Sequence, residues 1–291
     1  MTAPGVRSGG RGVRSGGWGG QSVGRGGRAG GRGVAAVGRG VLLVLALPAV
    51  LFAVWWVVSA GSGNFYFPPL RDILRTFGEV WTGQRLRADV LPSLARLAVG
   101  YGVAVAAGVG VGTLVGTMPR VRAVLEPVLE FFRAIPPPVL VPVIILFAGI
   151  GDTMKVIVIA SGCVWPILLN TVEGVRSVDE VLADTCRSYG IGGPARLWHL
   201  VLRSASPQIV TGMRQALSIG IILMVISEMF AASNGLGFAD VQFQRSFAIP
   251  EMWSGILVLG LLGFVLSVLF RLVERRVLAW YHGLRRAQRA S

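Results

Sequence analysis

The chain has 291 residues, of which 53% are hydrophobic and 14% charged, against a charged share of about 25% in soluble domains. That composition argues against an ordinary soluble enzyme. The formal net charge is +14, and Lys155 is the only lysine, so the positions of the arginines decide between nucleic acid, anionic lipid and membrane topology as the meaning of the charge.

Residues 1–40 carry seven arginines, from Arg7 to Arg39, and no acid. They offer almost nothing to bury, so ordering entropy is not recovered and a disordered tail is expected. Two readings stand for it. One is an Arg-Gly arm that binds nucleic acid through phosphates. The other is a flexible arm touching anionic headgroups. The membrane pattern that follows, and Trp18 as the single interleaved aromatic, favour the second. A phosphate loop of the G-x-x-x-x-G-K type is excluded because the tail has no lysine.

A membrane-crossing helix needs about 20 mostly apolar residues. Six candidates follow in order: 41–60, 97–117, 125–150, 154–172, 210–232 and 253–272. The fold class expected is an all-α polytopic membrane protein of about six transmembrane helices. The second candidate is rich in Gly and Ala, which suits close helix contact. The third is irregular, with Pro136, Pro137, Pro138 and Pro142 inside it. Backbone carbonyls freed at membrane depth are tolerated only against protein or a water-lined cavity, so Pro138 and Pro142 are candidate pathway residues. With the N-terminus inside, 21 basic residues fall on the inner side and 7 on the outer, so both termini are expected in the cytoplasm. After the first candidate, Leu70, Ile73, Leu74, Phe77 and Trp81 recur at helical spacing behind Pro68 and Pro69. They predict an amphipathic helix on the outer face or against neighbouring spans.

Glu228 is the lone acid inside the fifth candidate. An intramembrane carboxylate is expensive and a functional candidate by default, here as a gate. The competing reading is structural: it braces the turn at Asn234–Gly237 near the outer end. Glu126, Glu130 and Arg133 read as ion pairing on a helix face. Cys163, Cys186, His199 and His282 have no metal-ligand spacing, and two cysteines make no disulfide scaffold. No nucleotide fingerprint or nucleophile elbow is present, so neither a catalytic residue nor a cofactor is expected.

The inner loop, about 173–206, holds two helix signals. Val181, Leu182, Thr185, Cys186 and Tyr189 form one face of the first. Gly190, Gly192 and Gly193 break it, and Pro194 sits where a helix start tolerates it. Leu197, Leu200 and Val201 give the second an apolar face. Asp184 offers a carboxylate to a basic partner or a helix cap. A partner-docking hairpin and an amphipathic loop resting on headgroups both fit this pattern.

This loop resembles that of permease subunits of bacterial ABC importers, whose motif is E-A-A, three residues, G, nine residues, I-x-L-P. Asp184, Thr185 and Cys186 stand at the E-A-A positions, Gly190 at the glycine, Leu200 and Leu202 at I and L; Arg203 replaces the proline. The segments 131–180, 227–240 and 269–281 are similar to the sulfonate, taurine and nitrate subfamily. The likeness covers residues 41–282, between the Arg-Gly tail and a basic cytoplasmic tail at 283–291. It implies a permease in the bacterial cytoplasmic membrane that pairs with a second copy and moves a small anion. It also implies an ATP-binding subunit on another chain, an extracytoplasmic solute-binding protein, and a coupling helix around 190–202 that enters a groove of the ATPase. An ATP-independent carrier, which has no need of that loop, and a membrane-tethered nucleic-acid-binding protein are the rival readings.

Overall fold

The computed structural model describes residues 46–230, 232–281 and 283. The Arg-Gly tail, positions 41–45 of the first candidate span, and the C-terminal tail apart from residue 283 lie outside the described residues. No strand occurs among the described residues. In chain order the helices are α1 (Ala46–Ser59), α2 (Leu70–Val80), α3 (Gly83–Thr117), α4 (Pro119–Arg133), α5 (Val141–Ala148), α6 (Asp152–Arg176), α7 (Glu180–Ser188), α8 (Gly193–Phe230), α9 (Leu236–Arg245) and α10 (Ile249–Val277). The described residues from Trp55 onward form one compact unit.

Helices α3, α6, α8 and α10 are each long and apolar enough to cross a membrane. Two of them reach well beyond the sequence expectation. Helix α3 begins at Gly83 rather than Leu97, through a π-turn at Leu86–Val90. Helix α8 begins at Gly193 rather than Val210, through a π-turn at Leu197–Leu202. At 35 and 38 residues they extend past a hydrocarbon layer about 30 Å thick at 1.5 Å per residue, so both carry polar segments outside it. Hydropathy windows found only their apolar parts.

The core is built by close helix approach. Gly100, Ala104, Gly108, Gly112 and Gly116 recur every four residues along α3, and all but Gly116 are buried. Against them lie Ile159, Ile167, Thr171 and Val175 of α6, so near that a Cβ at Gly112 would stand 2.7 Å from Thr171 Cβ. Small residues let backbones approach where lipid supplies no hydrophobic drive between helices. The pairing keeps one offset from Gly100–Ile159 to Gly116–Val175, which makes α3 and α6 parallel. Helix α8 runs antiparallel to α6: Gly174 packs at Ala205, Gly212 at Pro166 and Gly220 at Cys163.

Parallel neighbours joined in sequence require a return crossing. The chain leaves α3 at the end where Gly116 meets Val175 and enters α6 at the end where Arg96 meets Asp152. Residues 118–151 therefore travel from one end of the bundle to the other. They do so as two pieces bent by 82°, so the irregularity expected over 125–150 takes the form of a sharp break. The break sits at Ala134–Pro136, where the backbone of Pro136 turns extended. Pro137 and Pro138 open a 3-10 turn and Pro142 lies in the first turn of α5. These prolines occupy helix starts, where a missing N–H costs nothing. Beyond buried Val141, α5 presents Val143, Leu146 and Phe147 outward, Phe147 at 88% exposure.

The amphipathic helix expected after Pro69 is α2. It packs on α10, burying Leu70, Ile73 and Trp81, with Trp81 Nε1 donating to Ser254 Oγ at 2.9 Å.

Candidate functional site

Two regions hold the functional candidates, one at each end of α3, α6 and α8. At one end lies the 173–206 loop. Helix α7 is started by Asp179, whose Oδ1 accepts the N–H groups of Val181 at 2.8 Å and Leu182 at 3.2 Å; a side-chain acceptor there satisfies orphan donors of the first turn. The cap is thus Asp179 and not Asp184, which pairs with Arg187 at 3.0 Å on the helix surface. At its other end Gly190 has φ +66°. Its N–H donates to Arg187 O, and Ile191 N–H donates to Cys186 O at 2.8 Å. This is a Schellman closure, and the left-handed residue in it explains the glycine. Gly193, at φ +56°, then turns the chain into α8, with Pro194 in its first turn.

The second helix signal is not a separate element. Leu200 and Leu202, partly buried, belong to the π-turn that continues into α8. The free-standing short helix is therefore α7, and the expectation of one over 190–202 is corrected; Pro194 starts a long helix and not a short one. Of the expected apolar face, Val181 (72% exposed), Leu182 and Tyr189 all point to the outside, while Ala183 is the buried contact. Thr185 Oγ1 returns to Val181 O, and Cys186 is a partly exposed free thiol. Trp198 is 70% exposed, and His199 Nδ1 lies 3.0 Å from Ala195 O on the surface. Arg203, at the position of the lost proline, stands over the Trp280 ring at 5.5 Å.

At the opposite end, Glu228 is 1% exposed. One oxygen accepts Arg96 Nη1 at 2.7 Å, and the other accepts Gly237 N–H at 3.0 Å. Ser93 Oγ stands 2.8 Å from the same carboxylate and accepts Leu236 N–H at 2.9 Å. Arg96, itself 4% exposed, also donates to Asp152 at 2.8 Å and to the carbonyl of Asn234 at 3.1 Å. Asp89 accepts Gly235 N–H at 3.1 Å, and buried Lys155 lies 3.4 Å from Asp152. The cluster joins α3, α6, α8 and the turn before α9. Both oxygens of the Glu228 carboxylate are engaged. A Cβ on Gly235 would meet that carboxylate at 2.5 Å, so the turn closes directly on the charge.

Sequence reasoning singled out Glu228 and missed Arg96, Ser93, Asp89, Asp152 and Lys155 as its company. The usable signal was the rule that a charge in a membrane segment is paired: Arg96 stands one residue ahead of the apolar run. Asp240 on α9 was also missed. Its Oδ1 is buried without a partner among the described residues, close to Gly255 of α10, and burial pushes its carboxyl up to about 7. Glu126 pairs with Arg122 and Glu130 with Arg133, so the expected surface pairing on α4 holds with Arg122 as an added partner.

Residues 104–279, from the middle of α3 through α10, match the model of the family described as binding-protein-dependent transport system inner membrane component. The chain belongs to that family. It is 31% identical over 240 residues to the taurine transport system permease protein TauC of Escherichia coli, covering 80% of this chain and 87% of that protein. It is 29% identical to the putative aliphatic sulfonates transport permease protein SsuC of Bacillus subtilis, over 81% and 86% of the two chains. It is 25% identical to the nitrate import permease protein NrtB of Synechocystis, over 79% and 86%. Among solved structures, a chain of the MetNI methionine ABC transporter in its inward-facing conformations shares the fold at a TM-score of 0.56. It is 21% identical, with 66% of this chain and 95% of that chain covered. As a family member the chain is a membrane-embedded permease of a transport system, and its polytopic all-α architecture agrees with that membership.

Proposed function

We propose that this chain is the permease subunit of an ATP-driven importer for a small sulfonate, taurine or nitrate-like anion. It works as a pair of identical copies in the cytoplasmic membrane with both termini in the cytosol. ATP hydrolysis belongs to a separate subunit, and an extracytoplasmic binding protein delivers the solute. The names of the relatives support the solute class, and the excess of arginine on the α7 side supports the orientation.

The observation that carries the reading is α7. It is a short helix capped at both ends by its own loop, with Ala183 its one buried residue and Val181, Leu182 and Tyr189 exposed. An exposed apolar face on a locally braced helix fits docking into a groove of the ATPase. Asp184, Thr185 and Cys186 lie on this helix, and Gly190 closes it. Pro194, Leu200 and Leu202 lie at the start of α8, which runs on to the far end of the bundle. The outward-facing side of α5, after Pro138 and Pro142, is assigned to the solute pathway and the second copy. Glu228 is assigned to bracing and not to gating.

The test is purification of the tagged chain with the products of its neighbouring genes, followed by complex mass and ATPase rate, beside Gly190→Pro. Proline removes the N–H that Arg187 O accepts and cannot adopt φ +66°. A complex of two permeases and two ATPase subunits, lost in the variant, supports the reading. A chain that purifies alone, indifferent to the variant, overturns it in favour of an ATP-independent carrier.

A further inference from the structure

Behind α7 lies a cavity of about 530 Å³. Its walls are Ala183 and Glu180 of α7, the α3–α4 elbow at Gly116–Met118, and Arg196 in the first turn of α8. At 100° per residue, Glu180 and Ala183 share one face of α7, and Val181, Leu182 and Tyr189 lie on the other. Ala183 is buried and Val181 and Leu182 are exposed, with Glu180 exposed at the rim, so the cavity remains open to a ligand while the outward face is engaged elsewhere. The volume falls within the roughly 300–1,000 Å³ of small-molecule sites.

The chemistry of the walls is specific. Arg196 Nε is buried and has no hydrogen-bond partner among the described residues. An unpartnered guanidinium N–H is costly, because its desolvation is not repaid. Glu180 stands exposed at the rim of the cavity, and its carboxylate makes no ion pair or side-chain hydrogen bond among the described residues. The remaining lining, Val175, Val178, Leu197 and Val201, is apolar. A bare anion that satisfies Arg196 would be repelled by Glu180, and a bare cation by Arg196. A molecule carrying both charges satisfies both.

We propose that this cavity binds a small zwitterion, an aminosulfonate or amino acid, with its anionic group on Arg196 and its ammonium on Glu180. Occupancy ties α7 to α8 and to the α3–α4 elbow, and so holds the docking helix in one position. In the orientation given above the cavity opens to the cytosol, so solute accumulating inside slows further uptake. This regulatory role rests on the importer reading; the binding site does not.

The experiment uses the full chain in lipid nanodiscs, with its ATPase subunit and without the binding protein, and measures equilibrium binding of radiolabelled taurine. Arg196→Gln and Glu180→Gln remove one charge each, and Ala183→Leu fills the cavity from α7. Saturable binding is expected in the wild type, at least tenfold weaker in all three variants, with methanesulfonate, which lacks the ammonium, a poor competitor. Taurine is then expected to lower the ATPase rate several-fold in the wild type alone. Absence of saturable binding, or binding unchanged in the charge variants, overturns the site. Failure of the importer reading appears separately, as a chain that captures no ATPase subunit; the same binding measurement on the chain alone still decides the cavity.

Discussion

The two ends of the bundle solve opposite problems. At the Glu228 end, four elements converge on buried charges, and the contacts are long-range: Arg96 reaches Glu228 and Asn234, and Asp89 reaches Gly235. At the α7 end the contacts are local: Asp179 caps its own helix and Gly190 closes it within five residues. A buried, fully paired network is costly to open, because truncating one partner leaves the other charge unpaired. A locally capped helix keeps its shape by its own hydrogen bonds and leaves its apolar face exposed. The difference is between an end fixed by long-range charge pairing and an end shaped by its own loop.

The comparison breaks most severely at Arg96. Arg96→Ala leaves Glu228 buried without its cation, a change worth about 3–5 kcal/mol in comparable buried pairs, and is expected to abolish accumulation of folded chain, read by detergent-solubilised yield and thermal midpoint. Glu228→Gln keeps the shape and some hydrogen bonds, so a smaller loss of midpoint is expected together with loss of transport in proportion. A Glu228→Gln protein that assembles at wild-type stability yet transports nothing would move the residue from brace to gate.

At the other end, the pair Val181→Ser and Leu182→Ser sharpens the contrast. Both side chains are exposed, so stability is expected to change by no more than about 0.5 kcal/mol, while co-purification of the ATPase subunit is lost. A fall in midpoint instead would show that α7 is held by the bundle and is not free to dock. Asp179→Ala removes only the cap, and a loss of about 1 kcal/mol is expected, seen as faster amide exchange confined to α7.

Asp240 supplies a pH-dependent comparison. Its folded-state value of about 7 lies above the ordinary carboxylate value of about 3.9. The folded protein therefore keeps a proton that the unfolded chain releases, and stability falls as pH rises through that window, reaching its low plateau once Asp240 ionises. Asp240→Asn is expected to flatten the decline of the thermal midpoint between pH 5 and 8. The decline of the wild type surviving in the variant would place its origin elsewhere.

Much of the architecture was legible because it rests on local rules. Apolar run length marked the four long apolar helices, and the spacing of Leu70, Ile73, Phe77 and Trp81 marked α2. What was illegible needed partners distant in sequence. Hydropathy stops where charge begins, so it ended the second span at Leu97 and hid the reach of α3 to Gly83. The prolines from Pro136 to Pro142 announced irregularity but not an 82° break. Residues 190–202 read as a short helix because the glycines interrupt the pattern, whereas Gly193 in fact starts a helix that runs unbroken to Phe230.

By itself, the sequence determined that this is an all-α membrane chain, that one loop between two crossings carries a glycine-punctuated helix signal, and which permease subfamily it resembles. Run length, periodicity and motif spacing are properties of neighbouring residues, and they suffice for those statements. Only the tertiary structure decided that α3 and α6 are parallel, that the proline-rich segment must cross between them, that Arg96 and Asn234 complete the site of Glu228, and that α7 turns its apolar residues outward. Each of these depends on which helix faces which across a packed interface, and a buried charge or a stripe of glycine specifies that a partner exists without naming it.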